Sequence, residues 1–493
     1  MRAAYEAHDA LGLAGLVARG EVSAQELLDA ALARAAAWNP RLNALTLPQP
    51  GVARAMIAAG LPDGPLTGVP FLLKDLGAEA VDFPSHCGSR LLANTRYRVD
   101  SEIYLRLRRA GLVPFGRTCA PEGGVGAVTE AQVYGGPTRN PWRLSHTPGG
   151  SSGGSGAAVA AGIVPAAHGS GGGGSVRIPA SNCGLFGVKP TRGHMPDGPC
   201  AGEGWAGMAC DGFLTRSVRD TAALLDATVG PDLGAPYRAP PLRAGFMAAI
   251  ARPPRRLRIA FTPLTLGGAA IHPECRQAVE GAARLLESLG HSVEEARPAV
   301  DVPAMMRAWT DIVACGTALW VRERLARLGR SLRPGDLAPS IEGAVRHAAT
   351  LSGADYLAAV EAIHAFGRAV AAFFTDRDAL LTATMAEPPA EIGRFAPTNP
   401  DFVDYRLGAR GFLPYSPFAP VWNASGQPAA SLPLHWTADG LPVGVQIATA
   451  FGEDETLLAL CAEIEAARPW FDRRPPPADG LSARPRGIFQ SLL

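Results

Sequence analysis

Lysine is the scarcest charge in this chain. Of 46 Lys and Arg residues only two are lysines, Lys74 and Lys189. Under a bias that has turned almost every cation into Arg, a retained lysine marks a place where Arg would not serve. Arg stays protonated, whereas a buried Lys can lose its proton and act as a base. Paired cysteines are also missing. The eight cysteines are scattered with no C-x-x-C, which argues against a zinc site or a disulfide framework and for reduced thiols in a cytoplasmic setting. Net charge is +1 with no run of five like charges, so there is no electrostatic footprint for nucleic acid or an anionic membrane. No segment reaches the roughly 18 apolar residues of a membrane span. The start, MRAAYEAHDALGLAG, lacks a basic stretch followed by an apolar one, so no signal peptide is expected. There is no HxH or HxxxH pair, no Walker-type phosphate loop and no repeat of 20–50 residues.

Glycine, by contrast, is concentrated. Two Gly/Ser clusters, 149–156 and 169–175, lie about one short helix apart. A flexible linker would have that glycine content but not the apolar runs 157–161 and 185–188 beside it. Ordering so many glycines costs entropy, and the usual return is backbone that approaches a ligand closely. Gly149–Gly153 matches the G-x-S-x-G nucleophile elbow, but the polar 143–150 stretch before it is no strand, as that motif requires. In Gly172-Gly173-Gly174-Ser175, consecutive N–H groups can turn toward one acceptor, as an oxyanion hole needs. Lys74 ends an apolar strand-like run, 68–73. A Ser/Lys hydrolase follows as the first reading. His168, His194 and His272 fall at no telling spacing from an Asp and read as core or solvated histidines. Lys189 reads as a surface or structural lysine, and the buried cysteines as inert.

Along the chain, helical and strand patterns alternate, which predicts an α/β fold. Helices are expected over 10–38, the second opened by the capping box Ser23–Glu26 and ended at Asn39-Pro40. Strands are expected at 44–47, 68–73, 112–115, 257–261, 292–295, 379–382, 431–434 and 443–448, and 181–188 is expected to lead to a further strand. The 257–295 stretch reads as a βαβ unit. Loops are expected over 194–215, 231–254 and 387–417. One unit spanning 1–493 is expected: N-terminal helices (1–64), a catalytic core (65–230), a mostly helical excursion (302–412) that could overhang a site, and C-terminal core strands and a helix (413–470).

The stretches GPLTGVPFLLKDL (64–76), TRNPW (138–142), PGGSSGGSGAAVAAG (148–162), GGSVRIPASNCGLFGVKPTRG (173–193), NASGQPAASLPL (423–434) and GLPVGVQIA (440–448) resemble the amidase signature family. Within it they are most similar to bacterial enzymes of the 6-aminohexanoate cyclic dimer hydrolase type. The resemblance implies a large mixed sheet flanked by helices. It also implies a Ser–Ser–Lys triad, with Ser175 as nucleophile, Ser151 as bridging serine after a cis peptide from Gly150, and Lys74 as base. The backbone N–H groups of Gly172, Gly173, Gly174 and Ser175 would hold the oxyanion. Two departures stand out. Gly171 occupies the family's usual Asp position, which loosens the expected hold on the oxyanion loop and widens the site. Cys119 replaces a frequent Asn near the substrate cleft. Cys315 and Trp309 of the helical excursion are further pocket candidates. The implied activity is hydrolysis of small linear or cyclic amides, carbamates or esters with no cofactor and no metal. Partners would be the small-molecule substrate and at most a second copy of the chain. The alternative is a glutaminase subunit of a tRNA-dependent amidotransferase.

Overall fold

The computed structural model describes residues 2–477; residue 1 and residues 478–493, the ends of the expected 1–493 unit, lie outside the described residues. Eleven strands form one mixed sheet: β1 (Leu45–Thr46), β2 (Pro70–Lys74), β3 (Val113–Thr118), β4 (Ala166–Gly171), β5 (Phe186–Lys189), β6 (Cys210–Thr215), β7 (Arg258–Phe261), β8 (Ser292–Glu295), β9 (Ala379–Ala383), β10 (Ala429–Trp436) and β11 (Pro442–Thr449). Their spatial order is β1-β3-β2-β4-β6-β5-β10-β11-β9-β7-β8. β2 runs parallel to β3 and β4. From β4 to β9 every pair is antiparallel, and β9, β7 and β8 are parallel again. The α/β class and the βαβ unit β7–helix–β8 are as the sequence reads.

The sheet places the site. All five residues of β2 are buried, as expected of a strand covered on both faces. Leu72 pairs with Ala167 of β4. Because these neighbours are parallel, Lys74 at the end of β2 and Gly171 at the end of β4 emerge at the same sheet edge. This is the edge at which open α/β sheets bind ligands. A second buried cluster, including Met305, Trp309, Ile363, Phe402 and Trp422, gathers the 302–424 helices beside that edge.

Several elements differ from the sequence reading. The helix Ala24–Leu42 passes through Pro40. Asn39 Oδ1 instead accepts from the N–H groups of Ala44 (2.8 Å) and Leu45 (2.7 Å), so the turn closes later. The helix Arg177–Cys183, closed by Gly184 in the left-handed region, precedes β5 where no helix was expected. β6 fills the last part of the supposed 194–215 loop. Its Gly212 looks unfit for a strand, but a side chain there would meet the Val188 carbonyl oxygen of β5 at 2.5 Å. Two short helices, Phe402–Leu407 and Phe412–Tyr415, break the 387–417 segment, and Phe246–Ile250 is helical with Phe246 buried. Finally, one helix among the described residues, Gly353–Phe373, is long and apolar enough by length and composition to cross a membrane. Asp355, Glu361 and Arg368 interrupt its apolar run, and it docks on the second cluster through Ile363, Phe366 and Val370.

The helix between the glycine clusters, Gly153–Ala160, is buried at every position. A Cβ on Gly154 would lie 2.4–2.7 Å from the Cys119 backbone N and O and the Ala44 carbonyl oxygen, all atoms that cannot swing aside. Gly154→Ala is therefore expected to cost about 3 kcal/mol or more. Gly51→Ala, in the open first turn of the helix Pro50–Ala58 with nothing within 4 Å, is expected to be neutral or stabilising by up to about 1 kcal/mol. Urea unfolding midpoints of the two variants check the contrast.

Candidate active site

Lys74 is fully buried, and no carboxylate among the described residues lies against its amine. Its Nζ lies 2.6 Å from Ser151 Oγ and donates to the Ser170 carbonyl at 2.6 Å. Loss of hydration disfavours the charged form. Burial brings the Lys74 pKa from 10.5 down to about 7, with only the more distant Asp211 pulling it upward. The backbone around it is fixed from three sides. Buried Arg117 donates to the Lys74 carbonyl (2.7 Å). The Lys74 N–H donates to His168 Nδ1 (3.3 Å). Asp75, next in the chain, accepts from Ser85 Oγ (2.7 Å), Tyr134 Oη (2.5 Å) and the His86 N–H (2.9 Å). His168 is thus a core histidine behind the lysine.

The two glycine clusters are sewn together by Ser152. Its N–H donates to the Ser175 carbonyl (3.1 Å), its Oγ to the Ser170 carbonyl (3.2 Å), and the Ser170 N–H donates back to its Oγ (3.2 Å). Ser155 Oγ adds a bond to the His168 carbonyl (2.7 Å). Ser151 and Ser175 are therefore held in one piece with Lys74, and the Gly150–Ser151 peptide is cis. Gly150 admits no side chain, since a Cβ would meet the Val128 backbone at 2.7–2.8 Å. Across the second cluster each missing side chain is replaced by a neighbour. Trp205 covers Gly172, Trp309 covers Gly173, and Ala419 covers Gly174, each 2.2–2.4 Å from where a Cβ would stand.

Gly171 does not widen the site. The space a side chain would take holds Ser175 itself, whose Cβ and Oγ lie 2.3 and 2.5 Å from that point. Nor is the loop left loose. Asn423 Nδ2 donates to the Gly171 carbonyl (3.0 Å) and the Met208 carbonyl (2.7 Å). Asn423 Oδ1 accepts from Arg177 Nη2 (2.6 Å), and Arg177 Nη1 donates to Gln446 Oε1 (2.6 Å). Arg177 is fully buried among neutral acceptors, and burial brings its pKa down to about 9.

Ser175 and Gly173 line a narrow cavity with Trp205, Trp309 and Arg406. Trp309 sits on the helix Val302–Leu328 and brings that helix to the cavity. Cys119 does not line this cavity. It is fully buried at the end of β3, where its carbonyl accepts from the Gly154 N–H (3.1 Å). Cys315 is half-buried and also off the cavity, although the next residue, Gly316, packs against Trp205. The larger cavities, of about 560, 710 and 740 Å³, are lined by none of Lys74, Ser151 and Ser175. The second lysine is a warning about rarity as evidence. Lys189 is buried too, not a surface residue, and burial likewise brings its pKa down to about 7. Among the described residues its Nζ meets only carbonyls, of Pro190 (2.6 Å) and Gly426 (3.5 Å), and no hydroxyl.

Asn423, Arg177 and Arg406 were not singled out as site residues in the sequence. The first two lie inside quoted motif stretches, NASGQPA and GGSVR, and could have been found there. Arg406 carries no sequence signal.

Known proteins place this geometry. The amidase family profile matches residues 26–458. The 6-aminohexanoate-cyclic-dimer hydrolase of Paenarthrobacter ureafaciens is 38% identical over 476 residues, covering 95% of this chain and 96% of its own length. Among solved structures, 6-aminohexanoate cyclic dimer hydrolase complexed with substrate superposes with a TM-score of 0.89 at 36% identity, covering 96% of this chain and 99% of that one. A bacterial aryl acylamidase gives 0.85 at 28% identity, covering 97% and 99%. With the family profile spanning residues 26–458 and relatives matched over nearly its whole length, the chain belongs to the amidase signature family of hydrolases that cut amide C–N bonds.

Proposed function

We propose that the chain hydrolyses small amides through an acyl-enzyme on Ser175, with Lys74 as the base and Ser151 as the proton carrier between them. The observation that carries this reading is the 2.6 Å contact between the buried, unpaired Lys74 Nζ and Ser151 Oγ. Of the two buried lysines, only Lys74 meets a hydroxyl.

Neutral Lys74 takes the Ser151 hydroxyl proton as Ser151 takes that of Ser175. Ser175 Oγ bonds to the amide carbon, and the carbonyl π electrons move to oxygen. The N–H groups of Gly172, Gly173, Gly174 and Ser175 face that oxyanion, and one such donor is worth about 10²–10³ in rate. The proton on Lys74 then returns through Ser151 to the leaving nitrogen as the C–N bond breaks. Water repeats the sequence on the ester, releasing the acid and restoring Ser175. Similarity to the 6-aminohexanoate-cyclic-dimer hydrolases favours linear or cyclic amides of ω-amino acids as substrates, with aryl and alkyl amides, carbamates and esters open to the same chemistry.

A panel of cyclic and linear 6-aminohexanoate oligomers, anilides, carbamates and esters, assayed with the purified chain, tests the reading. Ser175→Ala and Lys74→Met are each expected to lower kcat by about 10³-fold or more while the fold persists. Lys74→Arg should be equally inactive, because Arg keeps its proton. Lys189→Met should retain activity; loss of activity in that variant with normal folding would overturn the assignment of the base to Lys74.

The pH dependence has a definite sign. A protonated Lys74 has no lone pair to accept with, so kcat/KM should rise tenfold per unit below about pH 7 and level off above it, as the lysine titrates near 7. A profile flat from pH 5.5 to 8.5 would contradict the neutral-lysine base.

Restoring bulk at position 171 should harm the enzyme. Gly171→Ala or Gly171→Asp must push Ser175 aside, given the 2.3 Å overlap with its Cβ. A displacement of that order costs about 10²-fold in rate. Steady-state kinetics with far-ultraviolet circular dichroism as the folding control measures it; a gain in kcat would show that the loop accommodates the side chain.

A further inference from the structure

The cavity at Ser175 contains a second chemical feature that amide hydrolysis alone does not use. Arg406 enters it from the short helix Phe402–Leu407 and is almost wholly buried, 1% exposed. Its guanidinium is clamped by apolar surface, lying 4.2 Å over the Trp309 ring and 5.3 Å from those of Phe402 and Phe412. Its Nε donates to Thr310 Oγ1 (3.1 Å), which fixes its direction. Neither terminal nitrogen donates to any group among the described residues, and Nη2 is fully enclosed. No carboxylate among the described residues pairs with it. Burial accordingly brings its pKa down to about 9, still charged at neutral pH.

Other buried arginines do not look like this. Arg117 donates from all three nitrogens to the carbonyls of Phe83, Pro84, Lys74, Gly77 and Ala78. Arg177 donates from both terminal nitrogens to Gln446, Asn423 and the Ala419 carbonyl. A core arginine uses its donors because an unpaired buried charge is costly. Arg406 leaves its two terminal nitrogens uncommitted, and two further polar groups on the same cavity are likewise unpaired: Trp309 Nε1 and Ser416 Oγ. Three side chains with unsatisfied donors thus meet in one cavity with Ser175.

We propose that this cluster is a carboxylate subsite, so that the favoured substrate is an amide carrying a carboxylate on a slim chain. The proposal rests on the hydrolase reading only for what it says of substrate. A carboxylate supplies the missing countercharge and accepts from a guanidinium through two parallel bonds, with Ser416 and Trp309 positioned to add one each. The space beside these donors, about 20 Å³, has room for a group of carboxylate size. Neutral Lys74 does not compete for the anion. Trp205 also lines the cavity, from a half-exposed loop that holds Trp205 and Ala206 at φ 51° and 53°.

The test uses the full chain as Ser175→Ala, so that binding is read without turnover. Hexanoate and hexanamide are titrated against tryptophan fluorescence. Hexanoate should bind at least about tenfold tighter, as expected when an acceptor becomes charged. Arg406→Gln should erase the preference, Arg406→Lys should keep most of it, and Ser416→Ala should reduce it. In the active enzyme, the linear dimer of 6-aminohexanoate should show a KM about tenfold below that of its C-terminal methyl ester, a ratio that Arg406→Gln brings to one. Equal binding of hexanoate and hexanamide by Ser175→Ala alone would overturn the proposal, whatever the folding of the Arg406 variants. So would a preference that survives in Arg406→Gln. Hexanoate binding that depends on Arg406, in a protein that cleaves no amide, would keep the subsite and reject the hydrolase reading.

Discussion

Removing the Lys74 amine from water is the constraint on which the site depends. A hydrated lysine holds its proton near pH 10, and no geometry of serines would make it a base at neutral pH. Burial at the end of β2 supplies the shift, and β2 can bury a lysine there because both its flanking strands and the helix Gly153–Ala160 close over it. Burial alone is not a catalytic property, as Lys189 demonstrates with the same depression and no hydroxyl to act on. Function enters with the partner. The Ser151 hydroxyl can pass a proton on, whereas the carbonyls around Lys189 can only accept.

The glycines follow from the same need for closeness. The chain must bring the cis-linked Ser151, Ser175 and Lys74 from three sequence positions to one sheet edge, and side chains on the intervening backbone would hold them apart. Each omission is used by something specific: Val128 backbone at Gly150, Cys119 and Ala44 backbone at Gly154, Trp205 and Trp309 at Gly172 and Gly173, and Ser175 at Gly171. The glycine-rich stretch is therefore densely packed, with its entropy cost set against contacts that a Cβ would forbid.

How far the sequence disclosed this depends on where the information resides. Lys74 was legible because lysine is rare here, and Ser151 and Ser175 because their glycine motifs resemble a known family. The strand and helix alternation was legible from periodicity. β6 was not, because Gly212 is chosen by the Val188 carbonyl across the sheet and not by local propensity. The helix Arg177–Cys183 was hidden by its brevity and by Pro179 within it. Gly171 pointed the wrong way: the missing side chain suggested looseness, and only the three-dimensional neighbour shows that Ser175 occupies the space. Arg406 was invisible, since one arginine among many is marked only by the partners it lacks.

Buried cations define a consistent electrostatic plan around the cavity. Arg117 is neutralised by carbonyl dipoles, Lys74 by loss of its proton, and Arg177 by neutral amides of Asn423 and Gln446. Asn423 matters most in this arrangement. Its carbonyl oxygen satisfies Arg177 while its amide nitrogen holds the Gly171 carbonyl, so one uncharged side chain ties the buried arginine to the oxyanion loop. The family's usual Asp at 171 would add a negative charge next to Ser175, opposing the charge that develops during attack. Glycine with an amide support keeps the loop fixed without that charge. The positive charge left in the cavity is then the one on Arg406, on the substrate side, where it can act on what binds and not on the base.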